Sequence, residues 1–404
     1  MRYVIAGGGV AGVTAAKEIR KLDPEGRVDL FSSESYPYYF RPKLWEFIAG
    51  RISPEATYYR PESWYAEQGI NLYLHTAVTG LDTNEKVLTL ANERAVSFDR
   101  LVIASGGRSF VPPVEGVGLD GVFALRTLDD AKAIVTWADT VQSAVLIGGG
   151  LLGLETAKAL ADRGLMVSVV EFMPRLLPRQ LDEPGADVLQ AYLEKQSLGI
   201  YLDGMTEKII STPGGLTVQL GDGRQIETGM VVFSTGIRSN IEPWQSCGLP
   251  SDRGVQVDDY LMTAHADIYA AGDAAEYDGI VYGIIPAATE QGKIAGANAV
   301  SARNVVYTGT IPSTRLKIAG MAFNAYGDST LEGEGIVVRR VVDVAAGRYE
   351  RVAIQKGVIR GAIILGDSRK GLSLKRLIEV EMDVSAHADR LLEDDFDLKS
   401  LASA

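Results

Sequence analysis

YVIAGGGVAGVTAAKEIR, residues 3–20, decides how this chain reads, because AVLIGGGLLGLETAKALADRG, residues 144–164, repeats it. Each stretch is a short β-branched run, three glycines, two further residues, a glycine and an alanine-rich helical pattern. In such a strand–turn–helix the first glycine of G-x-G-x-x-G permits a tight turn. The second lets a pyrophosphate approach the backbone, and the third lets helix and strand pack closely. The anion then meets free amides and the positive end of the helix dipole. The glycines are Gly7, Gly9 and Gly12 in one copy and Gly148, Gly150 and Gly153 in the other. The triplets stand 141 residues apart, which suits two nucleotide-binding domains and is far too long for a solenoid repeat.

A second strand follows each helical pattern, RVDLFSSE ending at Glu34 and MVSVVE ending at Glu171, so both copies are βαβ units. Glu34, 22 residues after Gly12, is expected to accept hydrogen bonds from a ribose. Glu171, 18 residues after Gly153, binds a 2′-hydroxyl and repels a 2′-phosphate, which favours NAD over NADP; Arg175 nearby weakens that preference. Two dinucleotide sites in one chain imply a dinucleotide cofactor and a dinucleotide substrate. A flavin that accepts hydride from a nicotinamide is the sensible pairing, so the expected cofactors are FAD and NAD(H).

Composition narrows the alternatives. The 404 residues, 46% of them hydrophobic, fill two to four domains of roughly 100 to 200 residues. Forty basic against 52 acidic side chains give a formal net charge of -12, which argues against nucleic acid as a partner. One cysteine, Cys247, and three scattered histidines, His75, His265 and His387, supply neither an intramolecular disulfide nor a cysteine-ligated cluster nor an ordinary zinc site. The apolar run from Tyr3 is broken by glycines and recurs in mid-chain, so it is no export signal. No stretch has the roughly 18 uninterrupted apolar residues of a membrane span. The expectation is a cytoplasmic protein that keeps clear of the membrane.

Further motifs carry a resemblance. FDRLVIASGG (98–107), MVVFSTGIRSN (230–240), IYAAGDAAEY (268–277) and AATEQGKIAGANAV (287–300), in that order around the two glycine clusters, resemble the FAD-dependent pyridine nucleotide oxidoreductases of the glutathione reductase type. The resemblance implies an α/β fold: two Rossmann-like three-layer domains, the nicotinamide domain inserted into a split flavin domain, and a small α+β C-terminal domain. It assigns Ala104, Ser105, Gly106, Gly272, Asp273, Val78 and Glu290 to the flavin, and Gly236 to the nicotinamide domain. VPPVEGVG (111–118) has the composition of one crossing, and Asn240 to Pro243 is the second. The expected domains are 1–112 with 243–314 for FAD, 113–242 for NAD(P)H and 315–404 for contacts with a partner. In the last, three alternating strands at 335–344, 349–357 and 358–367 precede a helical pattern from Leu372 to Glu381.

Within that family mechanism divides on cysteine. The segment YYFRPKLWEFIAG (38–50), where disulfide reductases carry two cysteines and a peroxidase or oxidase branch one, has none. Cys247 lies far from it in sequence and reads as a thiol on a short helix with no role. Electrons must then leave the flavin directly. FRPKLWE, together with PSTRLKIAGMAFNAYGD (312–328), most resembles the rubredoxin reductases and the NADH-dependent reductase domains of assimilatory nitrite reductases. On that resemblance Arg41 and Pro42 belong to the flavin pocket, Lys43 and Glu46 lie near the ring, and Glu155 lies where the nicotinamide comes in. Lys43 and Glu155 are the candidate catalytic residues, Lys43 as a cation favouring hydride acceptance.

The resemblance implies an NADH-dependent reductase of a small electron-carrier protein such as rubredoxin or ferredoxin. Its alternatives are an NADH oxidase or diaphorase that reduces oxygen or small oxidants, and a flavin subunit of a larger redox complex. The expected carrier surface is Arg339, Arg340, Arg369, Lys370, Lys375 and Arg376 in the C-terminal domain. The acidic stretch Glu393 to Asp397 is expected to be a poorly ordered tail or a contact with a partner subunit. The sequence does not fix the oligomeric state.

Overall fold

The computed structural model describes residues 1–403. Along the chain, β1 (Arg2–Ala6), α1 (Val10–Leu22) and β2 (Arg27–Phe31) form the first repeat, followed by α2 (Leu44–Ile48), β3 (Ile70–Tyr73) and β4 (Arg100–Ile103). After β5 (Val122–Ala124), the second repeat is β6 (Ser143–Ile147), α3 (Leu151–Asp162) and β7 (Met166–Val170), then α4 (Glu183–Glu194), β8 (Gly199–Tyr201) and β9 (Met230–Phe233). β10 (Ile268–Ala270) and α5 (Ile285–Val300) follow. The remainder is β11 (Ser313–Ile318), β12 (Met321–Gly327), β13 (Ile336–Asp343), β14 (Arg348–Gln355), β15 (Val358–Gly366) and α6 (Gly371–Glu379).

The chain divides into two compact units. One is Met1–Arg41, Ser53–Arg108 and Ile237–Thr310; the other is Pro42–Ile52, Ser109–Gly236 and Ile311–Ala404. The changes of unit at 108/109 and 236/237 lie four and six residues before the crossings expected at 112/113 and 242/243. The segment Pro42–Ile52, placed by the sequence reading within 1–112, groups instead with Ser109–Gly236 and the C-terminal region.

In the first unit a parallel sheet has the order β10-β4-β1-β2-β3. Alternation along its strands sorts the core onto two faces. Tyr3, Ile5, Val28, Leu30 and Val102 face α1 and α5, while Val4, Ala6, Phe31, Leu101 and Ile103 are covered by Leu81, Leu88, Leu90 and Val96 of a three-stranded antiparallel sheet. α1 and α5 touch backbone to backbone. A Cβ on Gly292 would lie 2.4 Å from the carbonyl oxygen of Ala11, and one on Gly296 2.7 Å from that of Ala15.

In the second unit the parallel sheet is β8-β7-β6-β9-β5. In both sheets the strand before the glycine cluster is flanked on one side by the strand after the helix and on the other by a later strand. That reversal is the topological switch point where doubly wound sheets bind ligands. The C-terminal sheet has the order β11-β12-β15-β14-β13 and is antiparallel; Leu374, Leu377 and Ile378 of α6 pack on Val352, Ile359, Ala362 and Ile364. It holds five strands where three were expected, because β11 and β12 form a hairpin across Ala319 and Gly320.

Candidate functional site

The two glycine clusters have the same local geometry. Gly7 (φ +127°) and Gly148 (φ +116°) occupy conformations that L side chains rarely adopt. A Cβ on Gly7 would sit 1.9 Å from the carbonyl oxygen of Ala104, and one on Gly148 2.3 Å from that of Ser234. Cβ atoms on Gly12 and Gly153 would lie 1.9 Å from the Gly7 oxygen and 2.1 Å from the Gly148 oxygen. Packing therefore forbids a side chain at the first and third positions. Gly9 and Gly150 differ, for nothing lies within 4 Å of a Cβ at either. Each is the N-cap of its helix, with extended backbone, no side-chain cap and no acidic residue in the first turn. The amide donors of both helix ends are thus left to a ligand, and the cradle fits a pyrophosphate in each unit.

In the first unit Glu34 lies three residues beyond β2 and is already engaged by two side chains. Its Oε1 accepts from Arg41 Nη2 at 2.5 Å and its Oε2 from the Tyr39 hydroxyl. Burial works against the charge of Arg41, yet Tyr39 and Glu34 outweigh it and raise its pKa. Buried Ala104 directly follows β4, with its carbonyl against Gly7. Ser105 Oγ accepts from buried Trp244 Nε1 at 3.0 Å and donates to the Asn240 oxygen at 2.9 Å, and the Asn240 amide meets Gly106 at 2.9 Å. Val78 begins the strand Val78–Asp82 and packs on the core at the other face of the sheet.

Gly272 and Asp273 form a single 3-10 turn after β10, with Asp273 half-buried. Sequence reading missed what holds that turn. Gln291 of α5, buried at 1% exposure, accepts the Gly272 amide on Oε1 at 2.8 Å and donates from Nε2 to the Tyr307 hydroxyl at 3.3 Å. The Tyr307 hydroxyl meets Thr310 Oγ1 at 2.7 Å, and Thr310 Oγ1 donates to Glu290 Oε2 at 2.7 Å. The glutamine on the inward face of an otherwise small-residue helix was the signal available.

In the second unit Glu171 directly follows β7. Its Oε2 accepts from the Gly149 amide at 2.7 Å and its Oε1 from the Met173 amide at 2.8 Å. Arg175 is engaged elsewhere, donating to the carbonyls of Leu181 at 3.1 Å and Pro178 at 3.2 Å. Gly236 (φ +103°) lies between β9 and the short strand Ile237–Ser239 with open space beside it, and its oxygen accepts from the Phe110 amide at 2.9 Å. Pro42 and Lys43 lie in the short turn leading into α2, which packs on α3. Glu155 of α3 is buried, and burial first and the carboxylate of Glu46 second push its pKa up to about 8.

The expected carrier surface is not a free positive patch. Arg339 pairs with Asp389, Arg340 with Asp182 and Glu332, Arg369 with Asp367, Lys370 with Glu350 and Asp394, and Lys375 with Glu379. Neutralised locally, these cations have little left to steer a partner. The acidic stretch is tied down as well, since Asp394 takes both Arg348 at 2.5 Å and Lys370 at 3.3 Å. Cys247 lies two residues beyond the helix Glu242–Gln245 rather than on it, with Sγ 2.9 Å from the Pro243 oxygen. Among the described residues no helix is long and apolar enough to cross a membrane.

Comparison with known proteins agrees with this geometry. A family model described as pyridine nucleotide-disulphide oxidoreductase matches residues 1–299, and one described as rubredoxin NAD+ reductase C-terminal domain matches residues 312–382. A nitrite reductase [NAD(P)H] of Bacillus subtilis is 34% identical over 385 residues, covering 95% of this chain and 48% of the relative. An NADH-rubredoxin oxidoreductase of Clostridium acetobutylicum is 31% identical over 379 residues, covering 94% of each. The crystal structure of a ferredoxin reductase from Rhodopseudomonas palustris superposes with a TM-score of 0.89 at 25% identity, covering 99% of each chain. The chain spans about half the length of the first curated relatives it matches.

Proposed function

This chain belongs to the pyridine nucleotide-disulphide oxidoreductase family, and from that premise we propose that it is an NADH-dependent FAD flavoprotein reductase of a small electron-carrier protein. The observation that carries the reading is the pair of open glycines, Gly9 and Gly150, each at an uncapped helix start inside a G-x-G-x-x-G turn, where a bound pyrophosphate accounts for the missing side chain. Residues 1–112 and 243–314 hold the flavin and 113–242 the nicotinamide nucleotide. Gly9 and the α1 amides receive the flavin pyrophosphate, Glu34 and Arg41 its ribose end, and the Gly272–Asp273 turn the remainder of its phosphate and ribityl chain. When bound, the flavin supplies hydride acceptance and the release of electrons one at a time.

The protein's own part is positioning. Gly150 and the α3 amides hold the NADH pyrophosphate, and Glu171 accepts from the adenosine ribose. The nucleotide is NADH rather than NADPH, because a buried carboxylate repels a 2′-phosphate and Arg175 is committed to backbone carbonyls. Hydride transfer asks no acid or base of the protein, only alignment and exclusion of water. With no cysteine in residues 38–50, no thiol intervenes, and electrons pass directly to the acceptor. Lys43, at the start of α2, supports hydride acceptance by its charge.

The test is turnover of the FAD-reconstituted protein with NADH, with and without an added rubredoxin. Rapid rubredoxin reduction with slow turnover in air alone supports the reading. The missing thiol also suits an NADH oxidase that releases peroxide, and fast turnover in air without a carrier would establish that second reading in its place.

A further inference from the structure

Glu155 stands out among the buried acids. Asp29, Asp182, Glu171, Glu276 and Glu350 all have hydrogen-bond or ion-pair partners, whereas Glu155, 8% exposed, has none among the described residues. Glu46 of α2, half-buried, likewise has no side-chain partner and is the one charged group whose field acts on Glu155. Lys43 at the start of α2 apart, the elements packed on α3 offer no compensating cation. β6 and β7 carry no ionisable side chain, Arg315 and Lys317 of β11 are exposed, and Lys158 of α3 itself pairs with Asp162. α2 carries Glu46, with Lys43 at its start, and Arg51 beyond its end is committed to Asp162. Burial and the like charge of Glu46 both favour the protonated form of the Glu155 carboxyl.

Glu155 is five residues beyond Gly150, about 7.5 Å along the helix axis. On the proposed function that is within reach of the nicotinamide end of a nucleotide whose pyrophosphate sits at Gly150. The two redox forms of that ring differ in charge, the dihydronicotinamide being neutral and the nicotinamidium cationic. We infer that Glu155, with Glu46 opposite, is the specificity residue that distinguishes them: it stays protonated against the neutral ring and gives its proton to solvent when the cation occupies the site. The pair thereby lowers affinity for oxidised nucleotide at neutral pH and eases its release. This inference rests on the nicotinamide reading of the second unit.

The test uses the FAD-loaded holoenzyme, titrated with NAD+ and with tetrahydro-NADH, whose ring is uncharged and cannot give hydride; flavin absorbance reports binding. The two ligands share every phosphate and ribose, so the ratio of their dissociation constants isolates the ring. From about pH 6 to about pH 10 the NAD+ constant should fall relative to the other by about tenfold, the change that one pKa unit of linkage produces. Glu155→Gln, which buries a neutral isostere, should flatten the ratio. Glu46→Gln, which keeps Glu155 and removes the like charge, should move the transition to lower pH. A flat ratio in the unaltered protein, or a slope unchanged in Glu155→Gln, overturns the inference and leaves the proposed function standing. Failure of both nucleotides to perturb the flavin overturns both.

Discussion

The amide of Gly149 donates to Glu171 Oε2 at 2.7 Å, so the residue read from sequence as a ribose acceptor also fixes the glycine loop that leads into α3. The second oxygen takes the Met173 amide at 2.8 Å, and the carboxylate still has lone pairs to offer. Removing it leaves a buried donor unsatisfied, at a cost of about 1 to 3 kcal/mol. Glu171→Ala should therefore raise the KM for NADH by about tenfold or more while flavin retention stays as before. An unchanged KM would separate Glu171 from the nucleotide.

The open glycines give a sharper discrimination between folding and binding. Gly9→Ala and Gly150→Ala introduce a methyl into empty space at ordinary backbone angles, so circular dichroism and melting should be close to those of the unaltered protein. Gly9→Ala should nevertheless release FAD on dialysis, and Gly150→Ala should weaken NADH binding alone. Gly12→Ala, whose methyl would lie 1.9 Å from the Gly7 oxygen, should fail to fold. Full flavin retention by Gly9→Ala would mean that the first cradle is only a turn.

Asp182 caps α4 and accepts from the Tyr349 hydroxyl at 2.5 Å and from Arg340 at 3.0 Å, with the fully buried Arg351 at 3.1 Å. Asp182→Ala takes the acceptor from the buried Tyr349 hydroxyl and leaves Arg351 with Glu332 as its remaining carboxylate, and urea denaturation should register a loss of about 1 to 3 kcal/mol. A loss within the scatter of a surface substitution would show that the network contributes nothing to stability.

Glu155 ties stability to pH in a defined direction. Its folded-state pKa is raised to about 8 above the ordinary carboxylate value of 4.5, so the folded state holds the proton more tightly. Stability from this group is complete below the ordinary value, declines as pH climbs towards about 8 and is constant beyond. Glu155→Gln should thus gain stability relative to the unaltered protein between about pH 5 and about pH 9, by a few kcal/mol at most. A difference independent of pH would contradict the assignment of the raised value to this residue.

The sequence made the two nucleotide folds legible because glycine spacing, β-branched runs and a terminal acid are local signals, and β1, α1, β2 and their counterparts β6, α3, β7 lie where those signals put them. Tertiary facts were hidden. The β11–β12 hairpin was quoted only as a family motif, since its pattern is broken at Ala319 and Gly320. Charge partners distant in sequence, such as Lys370 with Glu350 and Arg339 with Asp389, turned an expected docking patch into ion pairs within the chain. The assignment of Pro42–Ile52 to the second unit depends on the packing of α2 against α3, which no local pattern encodes. The Gln291 contact to Gly272 spans 19 residues and joins two segments that the sequence presents as separate motifs.

The most direct test of the account is an anaerobic titration of FAD-loaded Cys247→Ser protein with NADH, followed by flavin absorbance. The account expects complete bleaching by stoichiometric NADH and full recovery of colour on adding an oxidised electron carrier, with no thiol in the chain. Absorbance that NADH leaves untouched, or bleaching that disappears with the sulfur, would contradict it.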